Sequence, residues 1–180
     1  MNFSGIKYKV LSKKTDRLLK NNKNSSLNVS KPIQSVGILV NENSKFDFES
    51  LKKLQKEIPI GSNSFTVLTY KNKNESYNEF RGAFFYEKQI TLSGKIKSDE
   101  VNRFLDKEFD MLIDYTGADT IFSKFLIAKS KAKFKVGHYT KEDALFNLMI
   151  DVPLDDVANF NRELIKYLKI LKKIKQNQKK

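Results

Sequence analysis

The stretch FDMLIDYTGADTIFSKFLIAKSKAKFKVGHY, residues 109–139, holds one complete strand–helix–strand unit, and its reading decides the fold. Phe109–Asp114 is a short apolar run stopped by an acid, the pattern of a strand buried on both faces. Ala118–Ser130 follows with Phe122, Phe125, Leu126 and Ile127 at helical spacing, which predicts a helix with those side chains inward. Lys133–Val136 then reads as the next strand. Two apolar strands joined by a helix of this length belong side by side and parallel.

The same alternation continues outward in both directions. Towards the N-terminus, Ser35–Asn41 (SVGILVN) is another buried strand. Asp47 stands at a helix start, with Phe48, Leu51, Leu54 and Ile58 on one face and Pro59 and Gly61 as stop signals. Ser64–Tyr70 is a further strand, and Lys71–Glu79 is polar and predicts an exposed loop. Phe80–Tyr86 is strand-like despite Gly82, and Ser98 before Asp99 and Glu100 is a helix cap for a helix to about Lys107. Towards the C-terminus, Leu145–Val152 predicts a strand, and Asp155 or Asp156 caps a long helix to roughly Lys175. Residues 6–22, with Ile6, Val10, Leu11, Leu18 and Leu19 among Lys and Arg, predict a basic amphipathic helix followed by a polar linker, Asn21–Pro32. The expected fold class is α/β: a Rossmann-like three-layer domain with a mostly parallel sheet and right-handed crossovers. We divide the chain into 1–32, basic helix and linker, and 33–180, one α/β domain ending in a basic helix.

Composition narrows the chemistry. The chain of 180 residues has no cysteine and a single histidine, His138, which excludes disulfide scaffolds, thiolate metal sites and two-histidine mechanisms. Met1 to Lys14 alternates apolar and basic residues, which predicts no signal peptide, and no run reaches the ~18 apolar residues of a membrane span. A cytoplasmic location is the expectation. The formal charge is +13, unevenly spread. Residues 1–32 and 162–180 each set eight Lys/Arg against one acid, so each is +7 and the middle is −1. AT-rich codons account for 30 Lys against 4 Arg, but not for the avoidance of acids at both ends. That asymmetry points to a polyanionic partner.

Three groups of cations are candidate nucleic-acid contacts: Lys7, Lys9, Lys13, Lys14, Arg17 and Lys20 on the first helix, Lys131, Lys133 and Lys135 in a row along a strand, and Arg162, Lys166, Lys169 and Lys173 on the last helix. Lysine in such numbers suits phosphate neutralisation more than base reading. Tyr8, Phe80, Phe84, Phe85 and Tyr86 are candidate stacking groups, with core packing as the competing role. The last helix also carries the apolar stripe Val157, Phe160, Leu164, Tyr167 or Leu168, Leu171 and Ile174, suited to the sheet or to an anionic membrane surface.

A second candidate lies where the strand of residues 109–114 ends, since α/β sheets bind ligands beyond the carboxyl ends of their strands. Asp114, Thr116, Gly117 and Asp119 lie there, and His138 ends the following strand. Asp114-x-Thr116-Gly117 resembles the aspartyl-phosphate motif of haloacid-dehalogenase-type phosphotransferases, which implies Asp114 as nucleophile and Thr116 as orienter. The competing reading makes Thr116 a helix cap and Asp119 a first-turn acid. There is no glycine-rich dinucleotide or P-loop signature, so no cofactor, no metal and no catalytic residue is assigned.

SVGILVNE, FDMLIDYT, AKFKVGHY and LFNLMIDV, together with the basic first helix and the closing helix, resemble a family of small uncharacterised α/β proteins of Bacteroidota, a likeness that implies no activity. Residues 109–139 are also similar to part of the N-terminal Rossmann half of heptosyltransferase-type glycosyltransferases, with Asp114 at the strand end and Ala132, Lys133 and Gly137 in the later piece. The expectation is a non-catalytic protein that binds RNA or a ribonucleoprotein, such as the ribosome, through its Lys-rich ends. The alternatives are a protein-interaction or membrane-surface module, and an enzyme for a phosphorylated or nucleotide-sugar ligand at Asp114–Thr120.

Overall fold

The computed structural model describes residues 3–22, 32–42, 44–71, 82–141 and 143–174. Most of the predicted linker, the loop after Lys71, Phe80 and residues 175–180 lie outside them. The last helix stops at Ile170 with Leu171 as its C-cap, short of the predicted Lys175, because Lys172 takes a positive φ of 53°. In chain order the elements are α1 (Phe3–Asn22), β1 (Val36–Asn41), α2 (Phe48–Glu57), β2 (Phe65–Lys71), β3 (Ala83–Tyr86), α3 (Asp99–Asp106), β4 (Met111–Asp114), α4 (Ile121–Lys129), β5 (Lys135–His138), β6 (Leu148–Ile150) and α5 (Val157–Ile170).

Among the described residues six strands make one sheet in the order β3-β2-β1-β4-β5-β6, and every pair is parallel. This is a Rossmann-like arrangement, and its order follows from handedness. Right-handed crossovers to one side of β1 put α2 on one sheet face, and crossovers to the other side put α3 and α4 on the opposite face. The two hydrophobic cores confirm the division. One holds Val36, Ile38, Val40, Ile113 and Val136 from the strands with Leu51 and Leu54 of α2 and Phe160, Leu164 and Leu168 of α5. The other holds Leu39, Leu68, Phe85 and Leu112 with Leu11 of α1, Phe104 of α3 and Phe125 and Leu126 of α4.

The local signals act as expected at the helix starts. The Asp47 carboxylate accepts from the Ser50 amide at 2.7 Å, and the Ser98 hydroxyl accepts from the Val101 amide at 3.3 Å. Asp156, not Asp155, caps α5, accepting from the Asn159 amide at 3.1 Å. Differences from the sequence reading include two strand boundaries and the direction of one side chain. β5 starts at Lys135 because the residues before it bond to the end of α3 and the connection that follows it, Lys131 N–H to Leu105 O and Lys133 N–H to Phe109 O. β6 is only Leu148–Ile150, since Leu145 and Phe146 turn into the second core. Phe146 fills the space over Gly137, where a β-carbon would meet its ring at 2.4 Å. Phe48, expected inward, is 46 % exposed, with the Lys52 amine 4.6 Å above its ring.

α1 is docked, not trailing. Leu11 and Thr15 are buried, Leu18 and Leu19 pack partly, and the helix lies along α4. Ile6 and Val10, expected in the apolar set, stay at or near the surface. Among the described residues no helix is long and apolar enough to cross a membrane.

Candidate functional site

Beyond β1 and β4 the chain leaves the sheet in opposite directions, and in folds of this order ligands bind in the crevice so formed. Here the chain itself occupies that crevice. Tyr115 stacks on Phe46 with ring centroids 4.1 Å apart, meets Phe160 edge-on at 5.2 Å, and donates its hydroxyl to Asn161 Oδ1 at 2.5 Å. Leu154 lies over Gly117, close enough that a β-carbon there would meet it at 2.9 Å. The α2 N-terminus, a natural phosphate seat, is already held by the Asp47 carboxylate. Hydrogen bonds from Ser50 hold that carboxyl below the usual carboxylate range, so it is ionised and repels a phosphate.

Asp114 is fully buried, and its carboxylate is engaged by its own loop. Oδ1 accepts from the Thr116 amide at 3.1 Å and the Thr116 hydroxyl at 2.7 Å, and Oδ2 accepts from the Ala118 amide at 3.2 Å. Gly117 and Ala118 both take positive φ, 70° and 51°, which curls the loop around the carboxylate and delays α4 to Ile121. Burial raises the Asp114 pKa to about 6, against these hydrogen bonds. Thr116 is therefore not the helix cap. That role falls to Thr120, whose hydroxyl accepts from the Ser123 amide at 3.1 Å, while Asp119 accepts from the Ser123 hydroxyl at 3.4 Å.

His138 is buried at the end of β5, stacked on Phe160 with centroids 4.3 Å apart. Nδ1 is 3.3 Å from Val152 O, and Nε2 has no partner among the described residues. Burial pushes its pKa down. The pleat separates it from Asp114. Asp114 shares the parity of Leu112 in the second core, whereas His138 shares that of Val136 in the first. The two side chains leave opposite faces of the sheet and cannot act as a pair. Among the described residues no group of three or more His, Asp or Glu side chains is placed to hold a metal ion.

The cations sort by geometry. On α1, Lys7 turns inward, donating to Glu87 O with its amine 5.2 Å from the Phe122 ring centroid. Lys9, Lys13, Arg17 and Lys20 are exposed on the side away from α4, and Lys14 is exposed with its stem across Gly94. Tyr8 projects from another side of the helix than Lys9, 58 % exposed. The strand row does not exist as read. Lys131 pairs with Asp106 at 3.0 Å, Lys133 pairs with Asp110 at 2.9 Å, and Lys135 is buried with a pKa lowered to about 8 by desolvation. On α5, Arg162, Lys166 and Lys169 face outward, but Lys173 is buried with its amine 4.7 Å from the Phe134 ring centroid. The α5 stripe is spent on the sheet: Val157, Phe160, Leu164 and Leu168 are buried, and Tyr167 is partly exposed. Among the described residues α1 and α5 cover opposite sheet faces, so the cations of the two helices do not share one surface.

Arg162, Lys166 and Lys169 instead meet α2. They line a groove of about 640 Å³ whose other wall carries Lys53 and Glu57 and whose floor includes Leu54, Ala158 and Ile165. Lys53 was not singled out by its sequence, where it is an ordinary polar position of an amphipathic helix. Only the packing of α2 beside α5 brings it to the other three.

A family model matches residues 7–171, from the inward lysine of α1 to the residue after α5. The chain belongs to the family of unknown function DUF6913. The match spans both sheet faces, so α1 is inside the DUF6913 unit and not an appendage to it. No curated protein and no solved structure matches the chain.

Proposed function

We propose that this DUF6913 domain is a non-catalytic module that binds RNA, alone or within a ribonucleoprotein, on the outward face of α1. The observation that carries the reading is the stripe Lys9, Lys13, Arg17 and Lys20. Among the described residues none of the four enters a salt bridge, whereas Lys52, Lys131, Lys133 and Lys166 each do. A helix rises about 1.5 Å per residue, so the stripe extends over about 16 Å. Burial of Leu11 holds it rigid on α4, so the contact needs no ordering of an arm. Cations in a row that are not neutralised by their own protein suit release of counterions from a phosphate backbone. The reading places the protein with RNA in the cytoplasm.

The test is fluorescence anisotropy of a labelled, structured ribosomal RNA fragment against the wild type and the Lys9→Glu/Lys13→Glu/Arg17→Glu/Lys20→Glu variant. The expected result is affinity weaker by at least about tenfold and a salt slope reduced by about three to four. Equal affinity would overturn the proposal.

A second reading, an enzyme or binding site at the Asp114–Thr120 edge as the heptosyltransferase resemblance implies, is favoured by the strand order alone. Thermal-shift measurements with nucleotide sugars and magnesium test it: stabilisation that Asp114→Ala abolishes would support it, and no shift at millimolar ligand would not.

A further inference from the structure

We infer that the groove between α2 and α5 docks an acidic amphipathic helix of a partner protein. The floor is apolar, built from Leu54, Ala158 and Ile165, and Ile170 lies 63 % exposed along the same lining. The walls are cationic. Arg162, Lys166 and Lys169 recur once per turn along α5, an advance of about 10 Å over seven residues. Lys53 stands on the other wall, and Glu57 is the one carboxylate among the residues lining the groove. Part of this charge is shared internally, Lys166 with Glu163 at 2.9 Å and Arg162 with Asn159 Oδ1 at 2.6 Å. Lys53 and Lys169 form no salt bridge among the described residues.

Charge complementarity selects the occupant. The chain's own residues 175–180, KQNQKK, add three lysines and no acid, so they are repelled. A second copy would bring the same four cations face to face. A nucleic-acid backbone satisfies the cations but leaves the apolar floor and Ile170 uncovered, and a membrane surface is too flat to enter a groove between helices. A helix with apolar residues at i, i+3, i+4 and i+7 fills the floor, and Asp or Glu on its flanks reach the walls. This site is on the opposite sheet face from the α1 stripe, so both surfaces are open to partners at once.

The experiment is selection of a yeast-displayed library of amphipathic helices of about 14 residues, the length of α5, against the full chain. Apolar positions are fixed, and flanking positions are drawn from Glu, Gln and Lys. The expected result is enrichment of Glu on the flanks. A peptide made from the enriched pool should bind at least about tenfold more weakly to the Arg162→Glu/Lys169→Glu and Lys169→Glu/Ile170→Glu variants, and unchanged to the α1 variant. These variants change surface side chains, and their melting temperatures are matched to wild type first. No enriched binder, no charge preference on the flanks, or equal binding to the groove variants would overturn the inference. So would phosphatidylglycerol vesicles or poly-uridylate RNA binding the wild type but not Lys169→Glu/Ile170→Glu.

Discussion

The Thr116 hydroxyl donates to the Asp114 carboxylate at 2.7 Å, and this bond closes a loop in which every hydrogen bond of that carboxylate, among the described residues, comes from the next four residues of the chain. A pair that reads in sequence as nucleophile and orienter is a structural clamp on the turn between β4 and α4. Asp114→Ala leaves the buried Thr116 amide and hydroxyl without an acceptor and the Ala118 amide with the Thr116 hydroxyl alone, so the domain should lose about 2–4 kcal/mol in urea denaturation. Asp114→Asn keeps one acceptor and should lose about half as much. Neither change should alter the RNA binding proposed for the outward face of α1.

His138 sets a pH dependence. Burial depresses its folded pKa below the ordinary 6.5, so the unfolded chain binds the proton more readily. Its contribution to stability is therefore complete above the unfolded pKa and is lost as pH falls through that value towards the folded one. Asp114, raised to about 6, acts in the opposite sense: it binds its proton more tightly when folded, so its burial penalty is relieved as pH falls from about 6 towards 3.8. Melting curves between about pH 7.5 and 5 should drop more steeply for Asp114→Asn than for wild type, and less steeply for His138→Phe. Parallel curves for all three would contradict both assignments.

Lys135 is 8 % exposed, and among the described residues its amine has no hydrogen-bond or ion-pair partner. Its pKa falls from 10.5 to about 8, so below pH 8 the folded state carries the full cost of a poorly solvated charge. The cost is relieved as pH rises from about 8 to 10.5. Lys135→Met, which keeps the stem and removes the charge, should stabilise the domain by about 1 kcal/mol near pH 7, with a gain that vanishes at high pH. Equilibrium unfolding at two pH values checks both the sign and the trend.

Gly137 and Phe146 depend on each other. A methyl group at 137 would sit 2.4 Å from the ring, so Gly137→Ala should cost about 1–3 kcal/mol by overpacking. In Gly137→Ala/Phe146→Leu the smaller neighbour makes room, and the loss should be partly recovered. A double-mutant cycle by thermal unfolding measures the coupling.

Leu11 tests whether α1 belongs to the domain. It is fully buried against the α4 side of the sheet, so Leu11→Ala should destabilise the whole unit by about 2–4 kcal/mol in a single cooperative transition. An arm that orders only on its target would show no change in stability on the same substitution.

Alternation of apolar strands with amphipathic helices, and caps such as Asp47 and Ser98, were legible because a strand buried on two faces and a helix buried on one leave different periods in the chain. Those local rules, with right-handed crossover, were enough for the α/β class and the parallel sheet. The candidate sites were not legible, because each depended on a neighbour distant in sequence. Lys131, Lys133 and Lys135 read as one row, yet Asp106 and Asp110 neutralise two of them and the sheet buries the third. Asp114 and His138 read as neighbours at one edge, yet the pleat sends them to opposite faces. Lys53 joined Arg162, Lys166 and Lys169 only when α2 and α5 came to lie side by side. The sequence by itself determined which segments form strands and helices, and that charge concentrates at both ends, because these follow from local periodicity and composition. Which charges stay unpaired, which face each side chain takes and where a groove opens were decided by tertiary structure alone, because burial and pairing belong to contacts between residues far apart in the chain.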